Sequence, residues 1–264
     1  MKQGIKEQSY LAHLRASTKD WKFWAKLLIG SIELASIVVF LAVAAVIEDN
    51  IYAIPEHLSY FTTLSNIFCG IFFVISAFTH HFEGKGKFNN SEVAKIAITY
   101  LTITIMIYNL NQLIATDAYY FDNWKYLMSF ICEHSLVPLL AIIYYLFFYN
   151  HDEAKDLKEF STKWLWYMIT GLVLYLTFFS FIGGLARYLN WKQLFGTIDG
   201  SGEGSTFVYP FLDWFHGVGF FKKLVPWFEC IVMLTGTLLG AVGVDYTYTF
   251  IIISRTKKAK HPAM

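Results

Sequence analysis

Charge is scarce in this chain. Asp, Glu, Lys and Arg make up only 16% of its 264 residues, and the net charge is +1. Charge so thin and balanced, with no basic face or tail of the required density, excludes a nucleic-acid partner. Cysteine is scarce too: Cys69, Cys132 and Cys230 all fall inside apolar runs with no C-x-x-C spacing. That argues against a disulfide framework or a thiolate zinc site and for buried structural thiols. No H-x-x-x-H spacing supports a metal site built from His57, His134 and His216, and we expect no metal and no cofactor. Nor is a cleavable signal peptide expected, since the polar stretch 1–21 is long and the first apolar run has full spanning length.

What the chain has in abundance is hydrocarbon. Hydrophobic residues make up 56% and aromatics 19%, at a mean hydropathy of +0.44, too apolar for an ordinary soluble domain. Six runs, at 24–47, 60–78, 93–114, 126–148, 164–186 and 226–253, are long enough to cross a bilayer of about 30 Å as helices. The expected fold is an all-α polytopic bundle of six transmembrane helices. Most of the basic residues lie in the tail 1–23, after the second and fourth runs, and in the basic tail 254–264. The positive-inside rule puts both termini in the cytoplasm, and a bacterial plasma membrane is the expected location. Residues 24–253 then form one membrane domain. Its long external loop, 187–225, contains GTIDGSGEG, which cannot form a core, followed by STFVYPFLDWFHGVGFF. We expect that loop to fold back as a lid bearing Tyr209, Pro210, Asp213 and His216.

Polar side chains in hydrocarbon are costly and normally face the bundle interior. Here they cluster by depth. Thr62, Thr63 and Asn66 open the second run; Asn109, Asn111 and Gln112 close the third; Glu133 and His134 lie in the external half of the fourth, and Glu229 opens the last. The topology brings all of them to the external side, as a polar pocket under the lid. Thr62 and Asn66 are spaced i,i+4 and Thr63 and Asn66 i,i+3, so either hydroxyl can share a face with the amide. The opening turn also has unpaired N–H groups and the positive end of the helix dipole, which suits an oxyanion. Pro138, four residues after His134, leaves the His134 carbonyl without its helical donor and bends the helix there. Capping by the hydroxyls and interhelical bonding by the amides are the competing structural roles. Glu33, in the middle of the first run, sits deeper than the rest.

The phrases YFTTLSN, EHSLVPLL and VYPFLD occur in the order found in a group of six-helix bacterial membrane proteins. The chain resembles that group, which looks distantly related to the androgen-induced and androgen-dependent membrane proteins of animals. The resemblance implies an intramembrane hydrolase of fatty acid esters of hydroxy fatty acids, with a threonine nucleophile and a histidine. By motif the histidine is His134 and the threonine is Thr62 or Thr63. Residue chemistry is consistent with this. A threonine hydroxyl needs a neighbouring base, which His134 can supply, with Asn66 as oxyanion donor and Asn109, Gln112 or Glu133 orienting the imidazole. The expected function is therefore hydrolysis or acyl transfer on a membrane lipid ester or lipid-like ester at the extracytoplasmic side. The alternative is a lipid-binding or small-ligand-binding membrane protein, or a transporter, using the same pocket and Glu33.

Overall fold

A computed structural model describes residues 2–47, 53–86, 88–114, 124–151, 157–188 and 226–260. The order is α1 (Lys2–Ser17), α2 (Trp21–Ala42) continuing through a π turn at Val43–Ile47, α3 (Ala53–Ser59), α4 (Phe61–Phe78) and α5 (Ser91–Ile114). Then come α6 (Trp124–Ser129), a π segment (Phe130–Ser135), α7 (Leu136–Phe147), α8 (Leu157–Tyr188) and α9 (Pro226–Lys260). Among the described residues there is no strand, only isolated bridges from Gly84 and Lys85 to Asn90.

Among the described residues, six helical stretches are long and apolar enough to cross a membrane: Trp21–Ala42, Phe61–Phe78, Ser91–Asn109, Leu127–Phe147, Leu165–Gly183 and Leu234–Thr256. Each falls on one of the six apolar runs, so the chain is an all-α polytopic bundle. The helices outrun the oil at several ends. Asp20, in extended backbone (φ −92, ψ 127), accepts from the Lys22 N–H at 2.9 Å and starts α2 three residues before the apolar run. Residues 2–17, read from sequence only as a tail, form α1.

α2 and α4 share the most extensive helix contact in the bundle. Two glycines make it possible: a Cβ on Gly30 would lie 2.6 Å from the Gly70 carbonyl oxygen. Small residues let backbones approach in a medium that gives helices no hydrophobic reason to associate. α5 sits centrally. One flank packs Ala94, Ala97 and Leu101 against Cys69, Phe73 and Tyr145, and the other packs Ile96 and Ile103 against Met168 and Leu172. Val38, Leu174, Phe178, Leu239 and Phe250 point outward and exposed, as a lipid-facing surface requires.

Buried charge pins the end of the bundle from which α2 leaves and at which α9 finishes. Lys26 pairs with Glu83, and Lys95 Nζ lies 3.1 Å from Asp245 Oδ1 with both side chains fully buried. Cys69 and Cys132 are buried free thiols.

Candidate functional site

α4 opens on Tyr60, whose backbone is extended (φ −67, ψ 135) and which makes no side-chain cap bond. The threonines sit inside the first turn, so neither is the capping residue. They diverge. Thr62, with Thr104 of α5 and Leu172 and Tyr175 of α8, lines a void of about 20 Å³ on the side of α5, α8 and α9. Thr63 is fully buried, and its Oγ1 has no hydrogen-bond partner. Ser65 belongs with Thr62: its hydroxyl donates to Thr62 O at 2.8 Å and lies 2.6 Å from Thr104 Oγ1.

Asn66 shares the Thr63 face, one turn further along. Its Nδ2 donates to Thr62 O at 2.7 Å and across the bundle to Glu133 O at 3.0 Å. That second acceptor exists because residues Phe130–Ser135 form a π segment instead of α-helix. A π turn withdraws carbonyls from the i→i+4 ladder and commonly marks a functional position. Pro138 follows in the first turn of α7, where no N–H is required. The irregularity expected at Pro138 thus takes the form of a π segment that contains both Glu133 and His134. The His134 carbonyl, expected to be free, lies 3.4 Å from Asn109 Nδ2, which also donates to Ile105 O at 2.8 Å.

The His134 ring stacks on Tyr108 at a centroid distance of 3.6 Å and an interplanar angle of 2°, and its Nδ1 has no hydrogen-bond partner. Glu133 is buried and its Oε2 lies 3.6 Å from His57 Nε2. His57 is held from the other side by Phe40, stacked at 4.0 Å. Sequence reasoning treated His57 only as a metal candidate. Its place on α3, just before the turn that carries Thr63, was the available signal.

Glu133 also lines a cavity of about 220 Å³ between α2 and α6, walled by Ile32, Val39, Phe40, Trp124 and Met128. The walls are mostly apolar, and Glu133 is the one ionisable carboxylate among the lining residues, with Ser36 and Ser129 as the hydroxyls. One turn deeper than Asn66, Cys69 neighbours Glu33, which is fully buried and, the Cys69 thiol aside, has no hydrogen-bond partner among the described residues.

The structure therefore brings Asn66, Asn109, Glu133 and His134 together through the π segment, with Thr63 on the Asn66 face and His57 on Glu133. It sends Thr62 to the opposite face. The side chains of Gln112, Asn111 and Glu229 lie outside the described ones, as do Tyr209, Pro210, Asp213 and His216 of the expected lid. No family model, curated protein or solved structure matches the chain.

Proposed function

We propose that the chain is an intramembrane lipid-ester hydrolase or acyl transferase with Thr63 as nucleophile. The observation that carries this reading is a buried Thr63 hydroxyl and a buried His134 Nδ1, both without a partner, on two helical stretches that the Asn66–Glu133 bond ties together. Buried polar atoms normally find partners, and those that do not are candidates for chemistry.

In this reading an acyl chain lies in the cavity between α2 and α6, whose lining includes Glu133, the residue before His134, and its ester reaches past Glu133 to Thr63. His134 takes the hydroxyl proton as Thr63 Oγ1 bonds to the ester carbon. The oxyanion is received by N–H groups of the first turn of α4, at the positive end of the helix dipole, because both Asn66 amide protons are already engaged. Collapse expels the alcohol, which takes the proton from His134. Water, or a second alcohol, then releases the acyl group by the reverse sequence. Glu133 and His57 fix the carboxylate end of the site. The resemblance of YFTTLSN and EHSLVPLL points to the same reaction, on the extracytoplasmic side of a bacterial plasma membrane with the termini inside.

A second reading has one observation in its favour. The amides of Asn66 and Asn109 both bond backbone carbonyls, as interhelical connectors do, which suits a ligand-binding pocket without chemistry. Fluorophosphonate labelling of wild type, Thr62→Ala, Thr63→Ala and His134→Ala separates the two. The hydrolase reading expects labelling that Thr62→Ala keeps and that Thr63→Ala and His134→Ala lose. A folded wild type that neither labels nor turns over any lipid ester overturns it.

A further inference from the structure

At the opposite end of the bundle from Thr63 lies a larger cavity, of about 530 Å³, within the range of about 300–1,000 Å³ typical of small-molecule sites. The start of α2, the 3-10 turn His80–Phe82, the turn after α7 and the last part of α9 enclose it. Its charged lining consists of Lys22, Arg255, Asp20 and Glu83, with His80 and His151.

The carboxylates are already compensated from behind. Glu83 is bonded by the Lys26 ammonium, by the Asn150 N–H at 2.8 Å and by the Tyr144 hydroxyl at 3.3 Å. Asp20 accepts from the Lys22 N–H at 2.9 Å and lies 3.0 Å from His80 Nε2, while His80 Nδ1 lies 2.8 Å from Lys26 Nζ.

The cations at the mouth are not matched in the same way. Lys22 Nζ donates to Phe148 O at 2.8 Å, and Arg255 Nη2 to Phe147 O at 3.4 Å with the guanidinium 4.9 Å above the Phe147 ring. Among the described residues, each donates to main-chain oxygen at the end of α7, and Lys22 also lies within charge range of Asp20. A lysine ammonium has three donors and a guanidinium five, so most of both are left for the cavity. Cations with spare donors, beside carboxylates neutralised from within, select an anion with several acceptor oxygens.

We propose that this cavity binds the phosphate group of an anion, with Lys22 and Arg255 as its two cationic contacts. Trp21, Phe147 and Phe148 stand exposed at its rim, an apolar border that favours a phospholipid over a soluble phosphate. The site is separate from the Thr63 pocket and independent of whether that pocket hydrolyses esters.

The test uses the full chain in three settings: phosphatidylcholine nanodiscs, phosphatidylcholine–phosphatidylglycerol nanodiscs, and phosphatidylcholine nanodiscs with added inorganic phosphate. Retained phosphatidylglycerol is counted by native mass spectrometry, and phosphate binding is followed by the unfolding midpoint. A cation near a membrane surface is worth about fivefold in affinity for an anionic headgroup. Lys22→Gln or Arg255→Gln should each weaken binding about fivefold, and the pair about thirty-fold. The exchange Lys22→Arg with Arg255→Lys should keep it within about twofold. Saturation by phosphatidylglycerol alone assigns the site to lipid, and saturation by phosphate as well assigns it to the phosphate group itself. Equal weakening by Arg15→Gln with Lys19→Gln, exposed basic residues outside the cavity, overturns the proposal in favour of diffuse attraction. Absence of saturable binding in every setting overturns it outright. Should the Gln pair not fold, Arg255→Gln alone decides, because that side chain is exposed.

Discussion

Asn66 of α4 reaches across the bundle to the Glu133 carbonyl, 3.0 Å from its Nδ2, and so fastens the π segment of the fourth span to the second. The same nitrogen holds Thr62 O at 2.7 Å. In hydrocarbon no water can replace either bond. Asn66→Leu should therefore cost about 1–3 kcal/mol of stability by stranding the Glu133 carbonyl, read as a lower unfolding midpoint in detergent. An Asn66→Leu protein of unchanged stability that no longer labels with a fluorophosphonate would instead move Asn66 into the chemistry.

The glycine contact between α2 and α4 predicts an asymmetry. A Cβ on Gly30 meets the Gly70 carbonyl oxygen at 2.6 Å, which cannot move without its helix. A Cβ on Gly70 meets the Leu34 side chain at 2.9 Å, which can shift, and backbone only at the looser 3.2 Å, the Gly30 carbonyl oxygen. Gly30→Ala should cost about 1–3 kcal/mol as an overpacked contact, and Gly70→Ala distinctly less. Equal effects in thermal unfolding would show that the helices separate as rigid bodies whichever side is enlarged.

These contacts mark the boundary of what the sequence discloses. The six spans were legible because spanning length and apolarity are properties of a local run, and each run became one continuous helical stretch, with π turns in the first and fourth. The irregularity near His134 was legible from Pro138. That Thr63 and not Thr62 shares the Asn66 face toward Glu133 was not, since both spacings put a hydroxyl near the amide and the choice depends on which neighbour lies where. The His57–Glu133 approach joins residues far apart in sequence, and the pairing of Lys26 with Glu83 was hidden because charges at span ends read simply as orientation signals.

Glu83, outside the spans, makes stability depend on pH. Burial alone would raise its pKa, but the His80 hydrogen bond, the Lys26 charge and hydrogen bond, and the Asn150 N–H outweigh it and hold the carboxyl at about 2, below its ordinary 4.5. A depressed folded pKa means the contribution is complete above the unfolded value and is lost as pH falls through the folded one. Wild type should lose up to roughly 3 kcal/mol between about pH 4.5 and pH 2 from this group. Glu83→Gln should be less stable at neutral pH, with Lys26 stripped of its partner, and should show a shallower acid slope in the same window. Parallel slopes for the two proteins would assign the acid sensitivity to other carboxylates.

Lys95 and Asp245 carry the last prediction, one that also bears on the transport alternative. Lys95 Nζ lies 3.1 Å from Asp245 Oδ1 and 3.2 Å from Thr249 Oγ1, with both charged side chains fully buried between α5 and α9. Removing one member of a buried pair strands the other, so Asp245→Asn or Lys95→Met alone should cost about 3–5 kcal/mol. Replacing both with apolar residues, Lys95→Met with Asp245→Leu, should recover most of that, because a buried pair contributes little net stability over well-packed hydrocarbon. Unfolding in detergent measures the cycle. If the double variant is stable and labels with a fluorophosphonate as wild type does, the pair is a clamp that docks the last helix. If it is stable but abolishes a substrate-dependent flux in liposomes, the pair lies on a conduction path and the transport reading prevails.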